Sequence, residues 1–528
     1  MKNPSFARSI AIITAFAIAT RGLGFVFRII LARILGAELL GIYQIAFSLF
    51  MVFLTIIASG LPLIISRQIA QNSPNPREAG AKPIVTSGLL ISFTASILIV
   101  LAIFLLKNQM NFFLADRRSI YLLAILAPAL FFYSVYTVLR SVWWGRKQFF
   151  LLGLTELIEQ VARIIILAIL LTVGFLFTDL SWIAAISFTL ACVISASVVV
   201  FIYAKEARQS KSDIENITIH NTQPDSPHSY SSSKLLQPTV PILKSAAPIT
   251  AVRCIMTLAL PIIAIIVPMR LIAAGWSSSD AIAHFGIIVG MTLPLLSVPQ
   301  AVISSMATAL VPELSSASKI GDTHTISKQI KSCIKFTLFI NFLLFPIFVS
   351  VGTSIGTFLF AEPLAGTYLR QSAWIMIPLS LSLITNAVLN SLGHETRAMA
   401  HYLIGSIALF TSIWFLPQFI GVGALVVGLG ATTSIAAILN IIKIQRKTGT
   451  DAQLVRLLFG YLIISIPAIV IGQFTYAIFD FLPIFINLVI AGTVTLGVFL
   501  TLAYMFNLLE FESLTKRFKN KKKQLSNT

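Results

Sequence analysis

Charged residues are scarce in this chain: they make up 11% of its 528 residues, whereas hydrophobic residues make up 57%. The mean hydropathy is correspondingly high, at +0.91. A soluble domain covers its surface with charged and polar side chains, so this composition excludes a soluble protein. The sequence predicts a polytopic membrane protein instead.

Residues that carry metal, redox or nucleophilic chemistry are also few. The three cysteines, Cys192, Cys254 and Cys333, lie in or beside apolar segments without metal-site spacing, so we interpret them as packing residues. The chain has no Walker motif, nucleophile elbow or HExxH motif, and no soluble region large enough for a catalytic domain. We therefore expect no catalytic residue, no metal site and no cofactor, which argues against an enzyme.

What the chain does contain is a series of apolar runs long enough to cross a bilayer as helices, which takes about 20 residues. They predict an all-α protein with about 14 transmembrane helices. The predicted spans are 9–35, 41–66, 83–106, 119–142, 150–177, 181–204, 246–274, 284–311, 333–360, 372–392, 398–417, 421–442, 454–478 and 482–508.

The basic residues orient these spans. With both termini on the cytoplasmic side, 28 of the 38 Lys and Arg residues fall on that side and 4 fall in outer loops. This asymmetry follows the positive-inside rule, and a span missed in mid-chain would invert it. Membrane topology thus explains the net charge of +19, and no nucleic-acid partner is expected.

The two halves of the chain share motifs in the same order, which predicts two pseudo-symmetric six-helix lobes. The matched elements are Arg21 and Arg253, Leu40-Gly41-Ile42 and Phe285-Gly286-Ile287, and Pro128 and Pro378. Repeats with a site between them are typical of alternating-access transporters. The predicted domains are an N-terminal lobe (1–204), a flexible cytoplasmic linker (205–245), a C-terminal lobe (246–447), two further spans (448–508) and a basic cytoplasmic tail (509–528).

Arginines inside the first span are the strongest functional signal. Arg21 and Arg28 lie seven residues apart on one helix face, with Gly24 between them. A cation at bilayer depth costs about 3 kcal/mol, so it should face a hydrated cavity or a partner. One interpretation is a diphosphate clamp, since guanidinium binds phosphate oxygens bidentately. The other is a structural pair with a carboxylate or carbonyl of another helix.

Further charges lie in spans five and seven. Glu156, Glu159 and Arg163 share one face of span five. Their carboxylates would bind a coupling ion, H+ or Na+, or hold cavity arginines when substrate is absent; alternatively, Glu159 only neutralises Arg163. Arg253 and Arg270 in span seven are two more candidate substrate-binding residues.

Four stretches carry a resemblance to known membrane proteins. They are TRGLGFVFRIILARILGAELLGIYQ (20–44), ELIEQVARI (156–164), FGIIVGMTLPLLSVPQAVISSMATALVPELSSA (285–317) and NSLGHETRA (390–398). Together they resemble the stage V sporulation protein B family of polysaccharide biosynthesis membrane proteins. The first stretch is also similar to MurJ-like lipid II flippases of the same superfamily, the multidrug/oligosaccharidyl-lipid/polysaccharide exporters.

This resemblance implies that arginines in spans one, two and eight line a central cationic cavity. Arg21 matches the first arginine of that pattern through its Leu-Gly-Phe neighbours, and Arg28 is one residue out of register with the second. Arg67, at the cytoplasmic end of span two, is the candidate for the arginine of that span. Span eight has no arginine here, so Arg253 or Arg270 would supply the charge.

The resemblance further implies a fourteen-helix flippase that moves undecaprenyl-diphosphate-linked sugar precursors across the bacterial cytoplasmic membrane, for cell-wall or envelope polysaccharide synthesis. The expected partners are this glycolipid, membrane lipids, an H+ or Na+ coupling ion and cell-wall synthesis enzymes. One alternative is a multidrug and cation antiporter of the same superfamily, although such exporters typically use acidic sites. The other is a non-transporting scaffold for cell-wall synthesis.

Overall fold

The structure is a computed structural model that describes residues 6–72, 81–110, 114–173, 179–220, 239–320, 322–449 and 454–508. All of the regular structure in these ranges is helical, and they contain no β-strand. The prediction of an all-α polytopic membrane protein is therefore confirmed.

The helices form two compact units, residues 1–286 and 287–528. The first unit contains α1 (Phe6–Ala58), α2 (Gly60–Asn72), α3 (Ala81–Met110), α4 (Arg118–Leu126), α5 (Ala129–Gly145), α6 (Phe149–Val173), α7 (Leu180–His220), α8 (Thr239–Thr257), α9 (Ala259–Ala273) and α10 (Ser278–Gly286).

The second unit begins with a π-helix, Ile287–Thr292, and has a short 3-10 helix at Ala373–Ile375. Its α-helices are α11 (Leu293–Leu296), α12 (Val298–Ile320), α13 (Thr323–Phe360), α14 (Pro363–Ser372), α15 (Met376–Ser391), α16 (Glu395–Phe415), α17 (Pro417–Ile420), α18 (Gly423–Thr448), α19 (Leu454–Ile478) and α20 (Ile484–Met505).

The predicted count of fourteen spans is not confirmed. In the described part of the chain, 11 helices are long and apolar enough to cross a membrane, or up to 12 if the bent pair α4 and α5 is one span. The predicted spans 9–35 and 41–66 merge, because Ala15–Gln71 forms one continuous candidate membrane span. The predicted fifth span falls on α6, whose central stretch carries three charged side chains.

Helix α1 is sharply kinked at Gly36, where φ is 67° and ψ is −176°. Without a kink its 53 residues would extend about 80 Å, more than twice the thickness of a hydrocarbon core. The predicted spans 9–35 and 41–66 fall on either side of this kink. Just after it, the Glu38 carboxylate forms an ion pair with Arg118 of α4 and accepts a 2.8 Å hydrogen bond from the Ser279 hydroxyl of α10.

The predicted C-terminal lobe and the second compact unit begin at different residues. The first unit continues to Gly286, whereas the sequence repeat places the start of the C-terminal lobe at residue 246. Within the predicted linker, α7 continues to His220 and α8 begins at Thr239. Residues 221–238 of the linker and the predicted tail (509–528) lie outside the described residues. The lobe division remains a prediction.

Close packing in the first unit depends on two glycines that the repeat had matched. A side chain at Gly41 of α1 would collide with the Ile282 backbone of α10, and a side chain at Gly286 would collide with the Gly41 backbone. The kinked α1 therefore lies directly against α10. The repeat motif marks a helix crossing where only glycine fits.

A polar network crosses the core of the second unit. The Asn440 amide of α18 donates to Asn386 Oδ1 at 2.8 Å and to Thr385 Oγ1 at 3.1 Å, both on α15. Its Oδ1 is 2.8 Å from Nδ1 of His401 on α16. Because Asn440 is fully buried, these bonds fix the relative positions of three helices.

Replacing Gly36 by alanine tests the kink. The conformation of Gly36 is open almost only to glycine, so we expect Gly36→Ala to destabilise the protein by about 1–3 kcal/mol in thermal unfolding in detergent. Gly22→Ala is the matched control in the same helix. Gly22 is exposed and has open space around its Cβ position, so alanine there should stabilise by about 0.5–1 kcal/mol. Equal effects of the two substitutions would contradict the kink.

Candidate functional site

Helices α1 and α6 run parallel in a register that three contacts define. A side chain at Gly153 would collide with the Phe16 ring, and a Cβ on Gly24 would be 3.8 Å from Gln160 Oε1. Further along, the Arg163 guanidinium is 5.6 Å from the centre of the Phe27 ring. This register places the arginine face of α1 at the level of the charged stretch of α6.

Arg21 and Arg28 are exposed on α1, as a cavity-facing or lipid-facing pair would be. Arg28 lies close enough to Arg163 of α6 for the charge of Arg163 to act on it, and Tyr43 of α1 is also nearby. In the described part of the chain, no carboxylate forms a salt bridge with Arg28. Positive charge therefore accumulates at Arg28 without an acidic neighbour to neutralise it.

Glu159 and Arg163 form a buried ion pair on consecutive turns of α6. The Arg163 Nη2 donates to Glu159 Oε1 at 2.7 Å, and Glu159 is only 5% exposed. The guanidinium also lies 4.6 Å from the centre of the Phe188 ring of α7, which is a cation–π contact. The pair thus joins α6 to α1 and α7 and neutralises itself.

A second pair joins α6 to α5. Arg140 Nη2 is 3.3 Å from Glu156 Oε2 and donates to the Leu152 carbonyl at 2.9 Å, while its guanidinium lies 4.8 Å from the Tyr136 ring centre. Arg140 lies near the end of the predicted span 119–142 and is one of the 28 basic residues counted on the cytoplasmic side, so its pairing with Glu156 was not predicted. Its position four residues after Tyr136 was the only available signal.

Several buried polar atoms around these pairs have no hydrogen-bond partner among the described residues. They are Arg140 Nε, Gln160 Oε1 and Arg163 Nε. The Tyr136 hydroxyl approaches Glu159 without reaching hydrogen-bond geometry. Buried polar atoms are normally satisfied, so this cluster on α5 and α6 can accept water or the polar groups of a ligand.

The remaining predicted residues lie on other helices. Arg253 of α8 is exposed, and its Nη1 donates to the Ser59 carbonyl at 3.3 Å, at the break between α1 and α2. Arg67 is exposed on α2, and Arg270 is partly buried in the last turn of α9. The structure thus brings together Arg28, Glu159 and Arg163, and it gives Arg253 a contact that supports the helix break.

The cost of separating the buried pair can be measured. Glu159→Gln leaves Arg163 buried without a counter-charge, so we expect a loss of about 3 kcal/mol in the free energy of unfolding in detergent. Glu156→Gln is the matched control, because Glu156 is exposed and its pair with Arg140 should contribute less than about 1 kcal/mol. Glu159→Gln with Arg163→Leu should regain most of the stability. Similar losses for both single variants would contradict the buried pair.

Comparison with known proteins places these features in a family. The model of the polysaccharide biosynthesis protein family matches residues 6–318. Stage V sporulation protein B of Bacillus subtilis is 25% identical over 410 residues, which cover 77% of this chain and 77% of that protein.

Solved structures show the same fold. The lipid II flippase MurJ in an inward closed conformation matches with a TM-score of 0.60 and 16% identity, covering 93% of this chain and 98% of that one. An inward-facing MATE family transporter of the MOP superfamily matches with a TM-score of 0.62 and 17% identity, covering 82% and 98%. The chain therefore has the fold of MOP-superfamily transporters, and it belongs to the polysaccharide biosynthesis protein family.

Proposed function

We propose that this protein is a flippase that moves undecaprenyl-diphosphate-linked sugar precursors across the bacterial cytoplasmic membrane by alternating access. The observation that carries the proposal is the arginine face of α1, where Arg21 and Arg28 are both exposed on a membrane-crossing helix. A guanidinium group binds two phosphate oxygens at once and keeps its charge at any physiological pH. Such a face is suited to a diphosphate headgroup.

The surrounding charges support an anionic ligand over a cationic one. Glu159 and Glu156 are already paired with Arg163 and Arg140, so neither carboxylate neutralises Arg28. The charge of Arg163 also acts on Arg28. A diphosphate would be attracted to the charge of Arg28, whereas a cationic drug would be repelled by it. Membership of the polysaccharide biosynthesis protein family supports a sugar-bearing substrate.

The same site offers a place for a coupling ion. Glu159 is the more buried of the two carboxylates, and Glu156 is the more accessible. We assign H+ or Na+ binding to one of them. Arg67, Arg253 and Arg270 remain proposed contributors to substrate binding, and cell-wall synthesis enzymes remain proposed partners.

Removing single charges from α1 tests the clamp. In liposomes loaded with fluorescent lipid-linked sugars, we expect Arg21→Gln and Arg28→Gln each to lower the translocation rate about tenfold or more, since a hydrogen bond to a charged group contributes about 1.5–3 kcal/mol. Arg33→Gln is the control, because Arg33 lies on the same helix but about 120° or more around it from both residues. Running each variant with and without H+ and Na+ gradients identifies the coupling ion.

Wild-type transport by both clamp variants would refute the arginine clamp. The MATE-like fold makes multidrug export the principal alternative. It predicts drug resistance in a pump-deficient strain that expresses the protein, with no translocation of lipid-linked sugars. A scaffold without transport activity predicts normal growth with clamp variants and defects only with variants in exposed loops.

A further inference from the structure

A second basic cluster lies at one end of the second unit. His394 precedes the first residue of α16, Arg397 lies in the first turn of that helix, and Lys443 and Lys447 lie one turn apart near the end of α18. The two helices are antiparallel neighbours, and a side chain at Gly405 of α16 would collide with the α18 backbone. Their close packing brings the four basic side chains together.

The electrostatics of His394 confirm this convergence. The pKa of its imidazole lies below its usual value, first because of burial and then because Lys447, Lys443 and Arg397 repel the protonated form. In the described residues, no salt bridge neutralises these three cations. Glu395 in the first turn of α16 is the one acidic side chain beside them on that helix turn, which leaves a net positive cluster.

Helix dipoles explain only half of this arrangement. Lysines in the last turns of α18 face the negative end of its dipole, which is favourable. Arg397 stands at the positive end of the α16 dipole, where a cation is unfavourable. An anion bound at this point would interact favourably with Arg397, with both lysines and with the dipole of α16.

An apolar groove lies between the same two helices, and its near end is about two helical turns from the cluster. It has a volume of about 500 Å³ and is lined mainly by aliphatic side chains of α16 and α18. Arg397 lies two helical turns before the groove residue Ile404, and Arg446 lies three turns after Ile435. Both arginines are therefore in line with the groove. Exposed Ile438 and Ile442 extend its α18 side towards the basic end.

We propose that the basic cluster at residues 394–397 and 443–447 binds the phosphate of an anionic phospholipid, and that the α16–α18 groove holds one of its acyl chains. Ile404 is about 10 Å deeper along α16 than Arg397. This matches a headgroup layer several ångströms thick above the hydrocarbon core. The cluster lies at the end of the spans that the positive-inside rule places in the cytoplasm, so the lipid belongs to the inner leaflet.

Lipid titration of the full-length protein tests this site independently of transport. Purified protein in detergent is titrated with phosphatidylglycerol and with phosphatidylcholine of the same chain length, and bound lipid is counted by native mass spectrometry. We expect phosphatidylglycerol to bind more tightly. We also expect Arg397→Gln with Arg446→Gln, which removes the two cations in line with the groove, to lower that affinity about fivefold for each cation removed.

Two further variants separate the cluster from nonspecific charge effects. Lys205→Gln with Arg208→Gln removes two exposed cations from α7 and should leave phosphatidylglycerol binding unchanged. Ala408→Phe fills the groove and should weaken binding of the long-chain lipid without weakening binding of soluble glycerol phosphate. Equal affinity for the two lipids, equal losses for the two double variants, or full binding by Ala408→Phe would overturn the proposal.

Discussion

The cost of placing charge in a medium of low dielectric constant governs this molecule. The first unit contains charged side chains on membrane-crossing or adjoining helices, and each must be paired, hydrated or bound to a ligand. Glu159 with Arg163 and Glu156 with Arg140 are paired between or within helices. Arg28 forms no salt bridge with a carboxylate in the described part of the chain, and because of this asymmetry we propose α1 as the substrate-binding helix.

The structural pairs and the proposed clamp depend on each other. If Glu159 were not held by Arg163, its carboxylate would be a nearby acidic group on the helix that packs against α1, and the proposed attraction of the α1 face for phosphate would be weaker. The aromatic contacts of Arg163 with Phe27 and Phe188 help keep that pair in place. In the proposed clamp, the ion pairs of α6 therefore leave the arginines of α1 available for substrate.

Much of the fold could be predicted because long apolar runs have one solution in a membrane, which is a helix. The arginine face of α1 was equally visible, since Arg21 and Arg28 lie at helical spacing. The contacts between helices could not be predicted from the sequence, because they depend on which helix faces pack against each other. Arg140 was predicted to be a charge on the cytoplasmic side. No pattern in the sequence indicates that His401 lies beside Asn440 or that His394 lies near Lys447. The count of 14 spans is not confirmed at two places: the kinked helix at Gly36 joins two predicted spans into one candidate, and the three charges of α6 exclude it as a candidate.

The three charges of α6 also bear on how the protein enters the membrane. At about 3 kcal/mol each, they outweigh what its leucines and isoleucines contribute at about 0.5 kcal/mol each. On its own, α6 has little tendency to leave the translocon for lipid. Helix α5, synthesised just before it, carries Arg140, which pairs with Glu156 of α6. The two helices should therefore partition into the bilayer together, as a hairpin, rather than one after the other.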